Sequence, residues 1–282
     1  MQRTDKRDSL PQEEPEQGRV PDSLKPLRWP ERFEAAAAYM AALPDRERYS
    51  REELLAEPLL LSREGALSIY YAPHNELAAP DARLIIAGLT PGWRQMEISL
   101  RAMRACLAAG EPPAEACRQA RREARFAGPM RTELLGMLGR LGLPEALAAA
   151  LGRNDDWPLL DHPLVHTTSV LPCPVFRDGA NYSGHHPPLR RSPLLWQTAM
   201  GHLEDELSRL KRPALLLPLG KAAEDAASEL VRRGLLPEER LLRGFPHPSG
   251  ANGHRFVQFE RAYPELKAKL DRFFAHESGG PA

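Results

Sequence analysis

DARLIIAGLTPG, residues 81–92, decides the fold. Leu84, Ile85, Ile86 and Ala87 form an unbroken apolar run, the pattern of a parallel strand covered by helices on both faces. The run breaks into Gly88-Leu89-Thr90-Pro91-Gly92, whose glycines and proline favour a turn. The same grammar recurs downstream. LVHTTSV (164–170) and ALLL (214–217) read as strands, the latter stopping at Pro218-Leu219-Gly220. Residues 241–245 read as a fourth strand, and LSIYY (67–71) has the aromatic and β-branched content of another.

Helical patterns separate these runs. They cover 29–43, 51–55, several segments within 94–151, 194–211 and 221–233. Leu195, Ala199, Leu203, Leu207 and Leu210 recur at helical spacing in the fourth of these. A final helix carries Phe256, Phe259, Tyr263, Leu266, Leu270 and Phe273, with Pro264 expected to kink or restart it. Strands alternating with helices predict a three-layer α/β/α sandwich around a mainly parallel four-stranded sheet. One domain is expected over 29–275, with a flexible lead-in at 1–28 and a tail at 276–282. The ligand crevice of such a fold lies outside the carboxyl ends of the strands, where the Gly/Pro-rich loops sit.

Composition narrows the class. The chain has 282 residues, 42% hydrophobic and 27% charged, as expected of a globular protein with one sizeable core. No stretch approaches the ~18 apolar residues of a membrane helix. Residues 1–23 lack the apolar core of a secretory signal, and Cys106, Cys117 and Cys173 are scattered and odd in number. These features predict a reduced, cytoplasmic monomer without membrane contact. Three cysteines cannot supply the four thiolates of an iron–sulfur cluster, and no cofactor is expected. Cys173, His185 and His186 match no zinc spacing, so no metal is assigned. The absence of G-x-G-x-x-G after the first core strand argues against dinucleotide binding.

Lysine plus arginine and aspartate plus glutamate balance at 38 each. Arginines nevertheless concentrate at 101, 104, 118, 121, 122, 125 and 131. That cluster reads either as a solvated helix face or as a local phosphate-binding face.

GFPHPSGANGHR, residues 244–255, concentrates polar chemistry between a strand and a helix. Pro246 and Pro248 restrict the backbone around His247, and Gly250 and Gly253 permit turns. One reading is a helix-capping turn with Ser249 or Asn252 at the cap; the other is a rigid loop presenting His247 to a ligand.

Taken in order, GLTPG, TTSVLPC, LLPLG and HPSGANGHR resemble the uracil-DNA glycosylase superfamily over roughly residues 70–275. The resemblance implies hydrolysis of the bond between a flipped-out base and its deoxyribose, with DNA as partner. The product would be an abasic site, in base-excision repair or in defence against phage DNA. It implies that His247 donates to the pyrimidine carbonyl as charge grows on the departing base, much as an oxyanion hole does. Thr90 stands where relatives carry a water-steering carboxylate or amide; Glu97 is a candidate substitute. Gly88, Leu89, Gly92, Ser169, His74 and Asn75 would line the base pocket, and Ser249, Asn252, His254 and Arg255 would contact DNA.

Two departures bear on substrate. Gly92 replaces a tyrosine that excludes C5 substituents, and Ser169 replaces the asparagine that reads the pyrimidine. Both predict a roomier pocket, accepting uracil or 5-substituted pyrimidines, modified cytosines included. No lysine lies in the signature loops to form a Schiff base, although Lys221 begins a helix nearby, so the expected enzyme is monofunctional. The alternative is a catalytically silent DNA-binding module on the same fold.

Overall fold

The computed structural model describes residues 27–152 and 157–278, with side chains through 275. The chain is mixed α/β. In order it forms α1 (Pro30–Ala42), α2 (Arg51–Leu54), β1 (Leu60–Glu64), β2 (Leu67–Tyr70) and β3 (Leu84–Gly88). Four helices follow: α3 (Trp93–Ala108), α4 (Pro113–Ala124), α5 (Pro129–Arg140) and α6 (Leu143–Leu151). Then come β4 (Val165–Ser169), β5 (Val175–Arg177), β6 (Ala180–Asn181), α7 (Pro193–Ser208), β7 (Leu215–Pro218), α8 (Lys221–Arg232) and α9 (Arg255–Ser278). Proline opens α1, α4, α5 and α7, where its missing N–H would be unpaired in any case.

Strand β3 is the centre of a parallel sheet ordered β4-β3-β7. Its side chains alternate between two cores, as the two-residue period of a strand requires. Leu84 and Ile86 pack with Leu134, Leu138, Phe245, Phe259 and Leu266 of the α5, α6 and α9 side. Ile85 and Ala87 pack with Leu195, Leu203, Ala223, Ala226 and Leu230 of α7 and α8. A strand apolar on both faces is stable only between two helical layers, and that is the arrangement found.

The expected fourth parallel strand reduces to one bridge. Leu241 pairs with Leu216, and the Leu242 N–H reaches the Leu216 carbonyl at 2.9 Å. Beyond it the Gly244 N–H turns away to the Glu224 carboxylate at 2.6 Å, and Pro246 and Pro248 have no N–H to extend a ladder. A separate antiparallel sheet, ordered β1-β2-β5-β6, accounts for LSIYY. Strands of two or three residues such as β6 and β5 leave no periodic signal. This sheet packs Tyr70 and Phe176 into a third core with Phe33, Met40, Met96 and Leu100.

Helix α9 continues through Pro264 to Ser278, into the segment expected as a tail. Most of the expected lead-in, residues 1–26, lies outside the described residues, as do 279–282. Arg28 is firmly held: its side chain is 2% exposed, 3.0 Å from Asp205 and 2.8 Å from Glu206.

Candidate active site

The loops at the carboxyl edge of the parallel sheet enclose an open cavity of about 480 Å³. Gly88, Leu89, Thr90 and Gly92 come from the β3 loop, Ser169 from the end of β4, and Leu219 and Gly220 from the end of β7. His247, Ser249 and Asn252 arrive from the 244–255 loop. Concavities of similar volume exist elsewhere on the surface, so size does not single this one out. Its lining does: loops distant in sequence converge where an open α/β sheet binds ligands.

His247 has a defined protonation geometry. The Ser249 backbone N–H points at Nδ1 from 3.4 Å, and Ser249 Oγ lies 3.0 Å from the same atom. A backbone N–H can only donate, so Nδ1 is the acceptor and the neutral ring carries its proton on Nε2. Burial lowers the His247 pKa from its ordinary value, favouring that neutral ring. Asn252 ties the loop down, donating from Nδ2 to the His247 carbonyl at 3.2 Å and to Gln258 Oε1 at 2.8 Å. Gly220, at φ +85°, lies directly beneath: a Cβ there would stand 2.9 Å from the His247 Cβ. Only glycine accommodates both that φ and that approach.

Thr90 lines the cavity, but its hydroxyl is committed. It donates to the Cys173 carbonyl at 3.0 Å and accepts from the Val175 N–H at 3.1 Å, clipping the β3 loop to the start of β5. With its single proton used, Thr90 ties the loop to the scaffold and has only one lone pair left to offer a water. Glu97 does not replace it. Buried on α3, its carboxylate takes Arg101 Nε at 2.9 Å and the Tyr49 N–H at 3.4 Å. No aspartate or glutamate lines the cavity among the described residues.

The space left by Gly92 is also occupied. A Cβ at 92 would meet Asn181 Nδ2 at 3.2 Å, so the carboxamide from β6 lies over the glycine. The cavity is therefore more closed on this side than the glycine alone implied.

His74 and Asn75 fall outside it. His74 is buried, where burial and then Arg121 lower its pKa to about 3; Asn75 donates to the Pro172 carbonyl at 2.8 Å. Both belong to a turn packed against α4, which the sequence could not distinguish from a pocket wall. His254 is exposed beyond the lining, and Arg255 turns its guanidinium to Glu133 at 3.1 Å and to the Asn252 carbonyl at 3.3 Å.

Gln95, Phe126, Met130, Asn181, Tyr182, Ser183 and His185 also line the cavity, without having been assigned to it from the sequence. Gln95 carried a signal: it stands three residues after the helix-capping Gly92 and accepts that N–H at 2.9 Å. Phe126 owes its place to a left-handed backbone, φ 53°, which no local pattern announces.

The arginine cluster is largely structural. Arg101 pairs with Glu97, Arg104 with Asp45, Arg118 with Glu115 and Arg125 with Asp161. Arg121 holds the carbonyls of His74 and Leu77, and Arg131 those of Arg122, Glu123 and Arg125. Charges spent in this way are poor candidates for a phosphate-binding face.

The uncharacterized protein YoxB of Bacillus subtilis (strain 168) is 41% identical over 230 residues, covering 80% of this chain and 88% of its own length. The chain belongs to the YoxB family. No family model matches it, and no solved structure matches it. The likeness to YoxB spans most of both chains, while the relative's name states no activity. No single helix among the described residues is long and apolar enough to cross a membrane; α5 and α6 would pass only together, and they are bent by 69°. No group of three His, Cys, Asp or Glu able to hold a metal occurs among those residues.

Proposed function

We propose that the chain is a monofunctional DNA glycosylase, cleaving the N-glycosidic bond of a flipped-out uracil or 5-substituted pyrimidine to leave an abasic site. The observation that carries this reading is His247. A neutral imidazole, its tautomer set by the Ser249 N–H, shares one cavity with the GLTPG loop and Ser169. Phe126, Met130, Leu89 and Leu219 give that cavity apolar walls suited to a planar base.

In the proposed reaction the C1′–N1 bond breaks with its electron pair passing to the base. The sugar becomes oxocarbenium-like, water adds at C1′, and the proton that water sheds is matched by the one the base anion takes up, releasing a neutral base. Nε2–H of His247 donates to a base carbonyl oxygen, where negative charge develops. With no carboxylate in the lining, leaving-group stabilisation carries the rate and water attacks without a strong base. Lys221 is the lysine at the lip, ion-paired with Asp225, which fits hydrolysis rather than Schiff-base chemistry. Ser249 and Asn252 in the lining, with His254 and Arg255 just beyond, are the proposed DNA contacts.

The committed hydroxyl of Thr90 favours a second reading, a DNA-binding module without catalysis. One assay separates the two. Incubating uracil-bearing oligonucleotides with the protein and then with hot alkali yields strand breaks for a glycosylase; a module gives retention on DNA and no breaks.

A further inference from the structure

Two carboxamides in the cavity have their orientations fixed by backbone donors. The Trp93 N–H reaches Asn181 Oδ1 at 2.9 Å, and the Gly92 N–H reaches Gln95 Oε1 at 2.9 Å. Because a backbone N–H cannot accept, each amide must present its oxygen to the main chain and its NH2 away from it. Both NH2 groups are without a protein partner among the described residues, and both residues line the cavity. Asn181 Nδ2 lies over Gly92, in the space a side chain at 92 would take. The same bonds engage the Gly92 and Trp93 N–H groups at the α3 N-terminus, so these amides are not left for a phosphate.

The lining that shares the cavity with His247 is thus supplied with carboxamide donors and free of carboxylates. We propose that Asn181 and Gln95 are specificity-determining residues that admit a base through a carbonyl edge, a 4-keto pyrimidine such as uracil or a 5-substituted uracil, and reject a 4-amino pyrimidine. A 4-amino group would set donor against donor and leave the carboxamides unpaired, and sites built to hydrogen-bond discriminate strongly against such analogues. The inference rests on the glycosylase reading and sharpens it: of the 5-substituted pyrimidines, modified cytosines are excluded. Asn181 is held for this task by β6, whose neighbouring Gly179 carbonyl accepts from Arg51, itself stacked 4.8 Å over the Trp93 ring.

The test uses the full chain and oligonucleotides carrying uracil, 5-hydroxymethyluracil, cytosine or 5-hydroxymethylcytosine at one position. Alkali-labile breaks report excision, and fluorescence anisotropy of the same oligonucleotides reports binding. The expected result is excision of both keto bases at least about tenfold faster than of either amino base, with Asn181→Ala narrowing that ratio by about tenfold. Asn181→Asp, which can still accept from Trp93 but offers an acceptor in place of a donor, should narrow or invert the ratio; unchanged circular dichroism would show both variants folded. Amino bases excised as fast as keto bases, or a ratio unaltered in Asn181→Ala, would overturn the inference while leaving a glycosylase. If no base is excised, the glycosylase reading fails and binding decides. Tighter binding of uracil DNA that Asn181→Ala abolishes supports the donor pair; equal binding of uracil and cytosine DNA overturns it.

Discussion

At the scale of the residue, the proposed chemistry rests on His247 and the atoms fixing its tautomer. His247→Ala removes the donor to the developing anion and should lower excision by about 10²–10³-fold, the usual cost of one such donor, in single-turnover assays with the melting temperature little changed. Ser249→Ala removes only Oγ while the backbone N–H to Nδ1 remains, so a smaller loss of about tenfold is expected. The sign of the pH dependence follows from burial, which lowers the His247 pKa. The neutral, active ring persists below its ordinary pKa of about 6.5, and activity should fall only at more acid pH, once Nδ1 takes a proton and loses its bond from the Ser249 N–H. A rate profile whose acid limb lies at or above about pH 6.5 would argue against that geometry. His247 was legible in the sequence because two prolines and a strand-to-helix position marked its loop. The commitment of Thr90 was not, because its partners at 173 and 175 are distant in the chain.

At the scale of the element, one contact positions the site and a second holds the fold together away from it. Gly220 links the end of β7 to the His247 loop, its N–H on the Phe245 carbonyl at 3.0 Å. Gly220→Ala adds both a strained φ and a 2.9 Å clash with the His247 side chain, so activity should fall far more than global stability, seen as lost turnover in a protein that still melts cooperatively. The second contact is the buried network joining Arg28, His166 on β4, and His202 and Glu206 on α7. Glu206 lies 3.0 Å from His166 and 3.3 Å from His202. Burial pushes the Glu206 carboxyl up, but the surrounding His166, His202 and Arg28 outweigh it and hold the pKa well below the ordinary value. Burial takes His202 down to about 4 and lowers His166 as well. The unfolded chain therefore binds protons on these histidines near pH 6.5 while the native fold does not. Stability should decline as pH falls from about 6.5 toward 4, with Glu206 adding to the loss below about 4.5. His202→Gln should flatten the dependence of melting temperature on pH across that window. Arg28→Ala leaves Glu206 without its cation and should cost about 3–5 kcal/mol in equilibrium denaturation. None of this was legible beforehand: Arg28 sat at the end of a segment whose composition reads as flexible, and its anchors lie more than 170 residues away.

At the scale of the whole molecule, the parallel sheet between helical layers was readable because β3 is apolar at consecutive positions, whereas the antiparallel sheet was readable only at LSIYY, because β5 and β6 are very short and β2 finds β5 across the whole β3–β4 segment. Ile86, fully buried at the sheet centre, should cost about 2–5 kcal/mol on substitution by alanine, measured by denaturant unfolding. That fold brings four loops to one edge, and the central claim is that the cavity they enclose excises a base with His247 as donor. The direct measurement is single-turnover release of base from uracil-bearing DNA, scored as alkali-labile sites, for the wild-type protein beside His247→Ala. Breaks at the uracil position are expected with wild type and about 10²–10³-fold slower release with the variant. DNA left intact by a folded wild-type protein that nonetheless binds it, or equal rates for the two proteins, would contradict the account.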